Sequence, residues 1–422
     1  MKPDLRTNIG GLELRNPFYA ASLCPCSNVT PLEQARNLAR RVDKGASAII
    51  TQMTTLKREK DPALGKIAAR STIVESKPPF GKEGFFLACA TADIQGYLDY
   101  QLEMIRYLKG LVDVPIIGNM IGIGTNENSW VELAKILENA GCSLLELNVS
   151  CPDADNPIDE SGHAEILEGG STVGQVPDLV KKITKAVTNS VDVPVFVKMT
   201  PEVGYPGLIA VALAIEEAGA KGVTVINSPT SIAPPDIYNG GRSKFPALDK
   251  WTFGGTYGPW NRFLTYKFIA VVAKYVPNLD ILAVGGNVDP EHSIEFMMLG
   301  AKAVQFSSGI LWRGQNSISR NIRFLEKYME EMNYQTLDDF RGAALKYIVK
   351  QVSELEMKPA HASVDPNLCT GCGSCTEILC SAMRLENGVA VNDIEKCSGC
   401  GFCRLVCEHD AISIIYSDEV AK

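Results

Sequence analysis

Eight of the chain's thirteen cysteines fall between Cys369 and Cys407, as Cys369-x2-Cys372-x2-Cys375-x4-Cys380 followed by Cys397-x2-Cys400-x2-Cys403-x3-Cys407. No other feature constrains the fold as tightly. Two residues between successive thiols let three sulfurs of one run surround a cubane, and the fourth cysteine of each run can cross to the other cluster, coupling the two halves covalently. On this reading one [4Fe-4S] cluster takes Cys369, Cys372, Cys375 and Cys407, and the other takes Cys397, Cys400, Cys403 and Cys380. Two zinc sites are the alternative, but zinc modules use paired ligands at wider separation rather than triplets. Such a tail is an electron conduit.

The other cysteines, Cys24, Cys26, Cys89, Cys142 and Cys151, are scattered. The N-terminal residues lack the apolar core of a signal peptide, and no apolar run approaches the ~18 to 20 residues of a membrane span. The expectation is therefore a cytoplasmic protein whose thiols serve metal or catalysis rather than disulfides. A formal net charge of −8 speaks against a nucleic-acid partner, because neutralising phosphates requires a basic surface.

Upstream of the tail, short β-branched runs alternate with amphipathic helical patterns such as 130–141 and 205–219. The runs 18–22, 46–52, 115–119, 143–148, 193–199, 222–227, 280–285 and 303–307 are near-continuously apolar, as strands of a parallel sheet buried on both faces must be. Eight such strands are what a closed barrel needs. An open doubly wound sheet would alternate similarly, but no G-x-G-x-x-G follows the first strand. The expected architecture is an α/β TIM barrel over 1–345, a linker at 346–364, and a two-cluster domain at 365–418.

Barrel chemistry gathers at the C-terminal strand ends. The fourth run ends Glu146-Leu147-Asn148-Val149-Ser150-Cys151-Pro152, the fifth Val197-Lys198-Met199-Thr200-Pro201, the sixth Ile226-Asn227-Ser228, the seventh Gly285-Gly286-Asn287 and the eighth Ser307-Ser308-Gly309. Glycines and hydroxyls after the last two strands sit where barrels commonly bind phosphate, which implies a phosphorylated cofactor. Lys198 beside that site would stabilise a ring that becomes anionic on reduction, as a flavin does. Cys151 reads either as an inert buried thiol or as a general acid that exchanges a proton with a substrate carbon. His163, His292, His361 and His409 fit no metal-ligand spacing and are expected on the surface or in loops.

Together these motifs resemble the FMN barrel of the dihydroorotate and dihydropyrimidine dehydrogenases, and the tail is similar to the bacterial two-cluster ferredoxin domain at the C-terminus of the latter. The resemblance covers nearly the whole chain. It implies FMN held by Ala21, Ser22, Gln52, Lys198, Gly254, Gly255, Gly285, Gly286, Ser307 and Ser308. It further implies Cys151 as proton donor on a mobile loop, with Asn148, Ser150, Asn227 and Ser228 near the substrate. The implied reaction reduces or forms an activated carbon–carbon double bond, by default that of uracil or thymine. Nothing resembles an FAD or nicotinamide domain, so the implied electron partner is an FAD/NAD(P)-dependent flavoprotein subunit or a ferredoxin; a homo-oligomer is also plausible for such a barrel.

Several positions depart from the pyrimidine pattern. Where the pyrimidine enzymes present N-x-E, this chain has Ala88 and Ala90; Gln52 stands in place of a lysine, and Asp153 follows the S-C-P run. Two lost hydrogen-bonding partners cost a polar heterocycle ~1 to 3 kcal/mol each in a desolvated pocket. A carboxylate near Cys151 would raise the thiol pKa. The segment 230–257, rich in Pro, Gly and aromatics, is expected either to cover the site or to form an interface. A relative acting on another enone or aromatic substrate is therefore a second reading, and a non-catalytic electron relay a third. Retention of Asn148, Cys151 and Asn227 argues against the relay, which needs no proton donor.

Overall fold

The computed structural model describes residues 2–21, 29–56, 71–74, 86–89, 97–151, 170–244, 253–356 and 358–416, with the backbone alone at 71–74 and 86–89. Ser22, Cys24, Cys26, Ala90, Asp153 and His163 lie outside the described residues, as does the side chain of Ser308. The chain divides into two compact units, Met1–Tyr347 and Ile348–Lys422.

In the first unit eight parallel strands close into a barrel: β1 Phe18–Ala20, β2 Ile49–Ile50, β3 Ile116–Met120, β4 Leu144–Asn148, β5 Val195–Lys198, β6 Gly222–Val225, β7 Asp280–Val284 and β8 Ala303–Phe306. Each lies inside or within one residue of an apolar run noted above. They pair in sequence order, with β8 closing on β1. The doubly wound alternative is thereby excluded. Helices at Pro31–Asp43, Leu98–Lys109, Glu127–Ala140, Pro177–Thr188, Tyr205–Glu217, Arg262–Tyr275, Pro290–Met298 and Ser317–Glu331 supply the crossovers.

Local signals explain the helix limits. Thr30 and Glu33 form a reciprocal capping box at the first helix. Helix Glu127–Ala140 stops at Gly141, whose φ of 97° is left-handed. His292, expected on the surface or in a loop, is instead half-buried in helix Pro290–Met298, where its Nδ1 accepts from the backbone N–H groups of Val288 and Asp289 at 3.3 Å each. Burial, and secondarily Arg262, lower its pKa.

The barrel floor is closed by the hairpin Thr7–Ile9/Leu12–Leu14 and by Phe196, which is fully buried. A Cβ on Gly222 would stand 2.2 Å from the Phe196 ring, and one on Gly10 2.8 Å from it, so both positions must be glycine for the ring to seat. Cys142 packs under β3, and burial pushes its thiol up to about 12, so it is an inert core residue. At the opposite end, Thr230–Ser231 and Gly254–Tyr257, after β6, pair antiparallel with Phe86–Cys89 and Ser71–Val74, after β2, in a four-stranded sheet. The segment expected as a lid or interface thus has its two ends in that sheet.

The second unit carries two antiparallel pairs: β9 Ala360–Val364 with β12 Ile412–Tyr416, and β10 Met383–Glu386 with β11 Val389–Asn392. This sheet includes the end of the segment expected as a linker, 346–364. Residues 360–364 are a strand, because all five residues pair in register with β12. The two cysteine runs are built alike: Gly373 and Gly401, both left-handed, start the turns Ser374–Thr376 and Phe402–Leu405. Leu379, the residue before Cys380, adopts φ 58°.

Truncation of Phe196 tests the floor. Phe196→Ala is expected to destabilise the barrel by about 3–5 kcal/mol, read as a lowered denaturation midpoint with fluorescence reporting the barrel.

Candidate functional site

Two strands, β4 and β6, deliver this part of the mouth of the barrel. Asn148 ends β4, and the chain then turns through Ser150 and Cys151, both buried. The turn is pinned from behind by Gly174, where a Cβ would stand 2.0 Å from the Val149 carbonyl oxygen. Ser171 N–H donates to the Cys151 carbonyl at 3.2 Å. The Ser150 hydroxyl donates to Asn148 Oδ1 at 2.8 Å, and Ser150 N–H adds a second bond at 3.3 Å. From β6, Asn227 Nδ2 donates to Ser150 Oγ at 3.1 Å, while its Oδ1 accepts from Ser228 N–H at 2.8 Å. The four positions expected near the substrate are therefore one hydrogen-bonded set, adjoining Cys151.

Beneath this set lies a carboxylate that strand-end reasoning passed over. Glu146 on β4 is fully buried and accepts from Asn119 Nδ2 at 2.6 Å, from Gln305 Nε2 at 3.3 Å and from the Thr224 hydroxyl. Lys198 Nζ stands 3.9 Å from its Oε1 with both side chains buried. Glu146, Thr224 and Gln305 come from alternate strands, the arrangement by which barrel interiors are layered. Tyr19, whose hydroxyl accepts from Gln305 Nε2 at 3.1 Å, has its pKa raised by burial and by the charge on Glu146. The signal was present: an ionisable residue at the centre of Leu-Leu-Glu-Leu-Asn has no place in a doubly buried strand unless partners await it inside.

The phosphate-type end is formed by three loops. Gly286, at φ 82°, packs so closely that a Cβ would stand 2.3 Å from Arg262 N and 2.8 Å from the Pro259 carbonyl. A Cβ on Gly309 would stand 2.6 Å from the Asn287 carbonyl. The loops after β7 and β8 and the segment 258–262 therefore converge. Asn287 is 1% exposed with both amide atoms lacking a partner among the described residues, and Asn261 Oδ1 is likewise buried and without a partner among them. Buried amides left open call for a polar ligand. With Lys198 as the nearby buried cation, this donor set fits a phosphorylated, redox-active ring cofactor. Neither Asn261 nor Asn287 stood among the expected contacts, because their orphaned atoms emerge only when the three loops are brought together.

The remaining expected contacts fall as follows. Ala21 is buried at the end of β1, its N–H donating to the Phe306 carbonyl at 2.9 Å, and Gln52 is half-buried after β2. Gly254 and Gly255 lie in the sheet after β6, where a Cβ on Gly255 would stand 2.5 Å from Ser228 Oγ. Gly285 follows β7, and Ser307 precedes the short helix Ser308–Arg313.

In the second unit Cys369, Cys372, Cys375 and Cys407 line one cavity, together with His409 and Ile412. His409 lies exposed in a turn, as expected, and borders this cavity. Backbone N–H groups of Ala390 and Ala362 donate to Cys369 Sγ and Cys397 Sγ at 3.4 Å each. Burial raises Cys375 and Cys403, while hydrogen bonding to Ser374 lowers Cys372. Among the described residues no three metal-binding side chains converge closely enough for a single ion. Four thiols lining one cavity fit a multi-atom cluster.

Comparison with known proteins agrees with this geometry. Residues 4–329 match the dihydroorotate dehydrogenase family and residues 390–413 match the 4Fe-4S binding domain. The chain is 34% identical over 345 residues to the catalytic subunit of dihydroorotate dehydrogenase B (NAD(+)) of Methanocaldococcus jannaschii, covering 81% of this chain and 98% of that one. It is 29% identical over 282 residues to the NAD-dependent dihydropyrimidine dehydrogenase subunit PreA of Escherichia coli K12, covering 66% and 65% respectively. A crystal structure of dihydroorotate dehydrogenase from Eimeria tenella with ferulenol shares the fold, at a TM-score of 0.61 and 17% identity over 82% of this chain and 89% of that one. Among the described residues no helix is long and apolar enough to cross a membrane. With a closed eight-stranded barrel, a cysteine-lined second unit and a family match across most of its length, the chain belongs to the dihydroorotate dehydrogenase family of oxidoreductases and carries an iron–sulfur domain of the ferredoxin type.

Proposed function

We propose that the chain is the FMN- and iron–sulfur-dependent catalytic subunit of an enzyme that reduces, or forms, an activated carbon–carbon double bond, with Cys151 as general acid and two [4Fe-4S] clusters as the electron path. The observation that carries this reading is the connected set Asn227, Ser150 and Asn148 beside a buried thiol at the mouth of the barrel. FMN, when bound, supplies hydride chemistry, and the clusters supply one-electron exchange. The protein's own part is positional. Gly285, Gly286, Ser307 and Ser308, with Asn261 and Asn287, hold the phosphate end, and Lys198 offers positive charge to the ring. Ala21, Ser22, Gln52, Gly254 and Gly255 complete the cofactor contacts. Asn148, Ser150, Asn227 and Ser228 orient the substrate by hydrogen bonds, and Cys151 Sγ moves a proton to or from its carbon.

Pyrimidines are the first substrates to test, because the curated relatives are named for dihydroorotate and dihydropyrimidine dehydrogenation. Ala88 favours a second reading, in which the double bond belongs to another enone or aromatic compound: Phe86–Cys89 is a strand of the sheet after β2, and an alanine there offers no polar group. The electron partner is an FAD/NAD(P)-dependent flavoprotein subunit or a ferredoxin, in keeping with relatives that are themselves named as subunits. The protein functions in the cytoplasm on this reading.

Anaerobic reduction of the reconstituted protein with dithionite, followed by mixing with uracil, thymine, orotate, conjugated enones and aromatic thioesters, tests the assignment. Flavin reoxidation by a pyrimidine establishes that substrate class; reoxidation only by another class supports the second reading. Cys151→Ala is expected to lower turnover by at least ~10²-fold while flavin and cluster reduction persist, and undiminished turnover removes Cys151 from the mechanism. Cys407→Ser is expected to perturb the cluster assigned to Cys369, Cys372, Cys375 and Cys407, with iron content and electron paramagnetic resonance of the reduced protein as the check. Unchanged spectra would show that Cys407 is not a ligand.

A further inference from the structure

The buried polar residues of the barrel form one continuous chain with a fixed direction. Asn119 Nδ2 donates to Glu146 Oε1 at 2.6 Å, and Asn148 Nδ2 donates to Asn119 Oδ1 at 3.4 Å. Ser150 Oγ donates to Asn148 Oδ1 at 2.8 Å, and Asn227 Nδ2 donates to Ser150 Oγ at 3.1 Å. Every bond runs the same way, from the mouth of the barrel inward to Glu146.

The chemistry of the inner end explains this. A carboxylate only accepts, whereas a primary amide can be turned to offer either its oxygen or its nitrogen. Asn119 must therefore give its NH2 to Glu146, which leaves its oxygen for Asn148. Asn148 must answer with its own NH2, which leaves Asn148 Oδ1 for the Ser150 hydroxyl, and Ser150 Oγ is then left to accept from Asn227. On the other side Gln305 obeys the same demand: its Nε2 serves Glu146 and Tyr19, while its buried Oε1 has no partner among the described residues. An unpartnered buried oxygen is an unfavourable arrangement that the opposite flip would change, so the carboxylate determines the orientation. Lys198 Nζ, 3.9 Å away, sits against the same oxygen as Asn119.

We propose that Glu146 is a positioning residue that sets two things at once: the donor and acceptor pattern that Asn148 and Asn227 present to the substrate, and the effective charge that Lys198 presents to the cofactor ring. This rests on the functional reading above. The second N–H of Asn148 meets Met53 Sδ at 3.4 Å, so the outward donor this chain fixes is the remaining N–H of Asn227, which matches an acceptor oxygen on the substrate.

The test uses the full-length, flavin-loaded, oxidised protein titrated with orotate and with uracil, read by the change in flavin absorbance. Glu146→Gln can both donate and accept, so Asn119 is free to flip and affinity is expected to fall about tenfold or more. Adding Asn119→Asp restores an acceptor-only group next to Asn148 and keeps the net charge, so the double variant should recover most of that affinity. A residue that merely filled space would not be rescued in this way. Equal affinity for wild type and Glu146→Gln, or a double variant no better than the single one, overturns the proposal. Should Glu146→Gln fail to fold, Asn119→Leu cuts the chain while leaving Glu146 beside Lys198. It is expected to weaken binding with the flavin midpoint potential unchanged, and wild-type affinity again overturns the proposal.

If neither pyrimidine perturbs the wild-type flavin, the pyrimidine reading fails by itself. The potential then decides the role of Glu146: losing its charge should make the flavin of Glu146→Gln easier to reduce than wild type, and an unchanged potential overturns the proposal.

Discussion

Closing eight parallel strands on themselves creates an interior that side chains must fill, and here a carboxylate occupies it. An ionised group removed from water costs several kcal/mol unless donors replace the solvent, and stripping a partner from such a group typically costs 3–5 kcal/mol. Glu146 therefore imposes its needs on β3, β6 and β8 through Asn119, Thr224 and Gln305, and on β5 through Lys198. Strand register follows from this as much as from apolar packing. A slip of one residue on any of these strands would turn its partner for Glu146 out of the barrel.

This explains which parts were legible in the sequence. The eight strands could be read because burial on both faces leaves continuous apolar runs, and the cysteine tail because thiolate spacing reflects cluster geometry. Features that depend on pairing distant segments could not. Asn119, Thr224 and Gln305 are unremarkable polar residues in separate strands until closure places them around one carboxylate. Residues 360–364 looked like a linker because their partner, Ile412–Tyr416, lies some fifty residues later. Asn261 and Asn287 became candidate ligands only through orphaned atoms, which exist after three loops have converged. His292 is not legible as a cap residue because a helix cap depends on where the helix starts, which here is Asp289-Pro290.

The two ends of the site differ in how they are built, and that bears on substrate choice. The phosphate-type end relies on backbone approach and small residues, as the crowding at Gly286 and Gly309 demonstrates. Such a surface tolerates little change, because a side chain at either glycine would run into backbone. The opposite portion joins the segments after β2 and β6 through backbone pairing of Phe86–Cys89 with Gly254–Tyr257. Backbone pairing is indifferent to side chains, so residues there can vary without disturbing the strand that carries them. Ala88 pairs with Thr256 across this ladder. A substitution at this position thus leaves the ladder intact, which is how one sheet can carry different side chains in a barrel 34% identical to one relative and 29% identical to another.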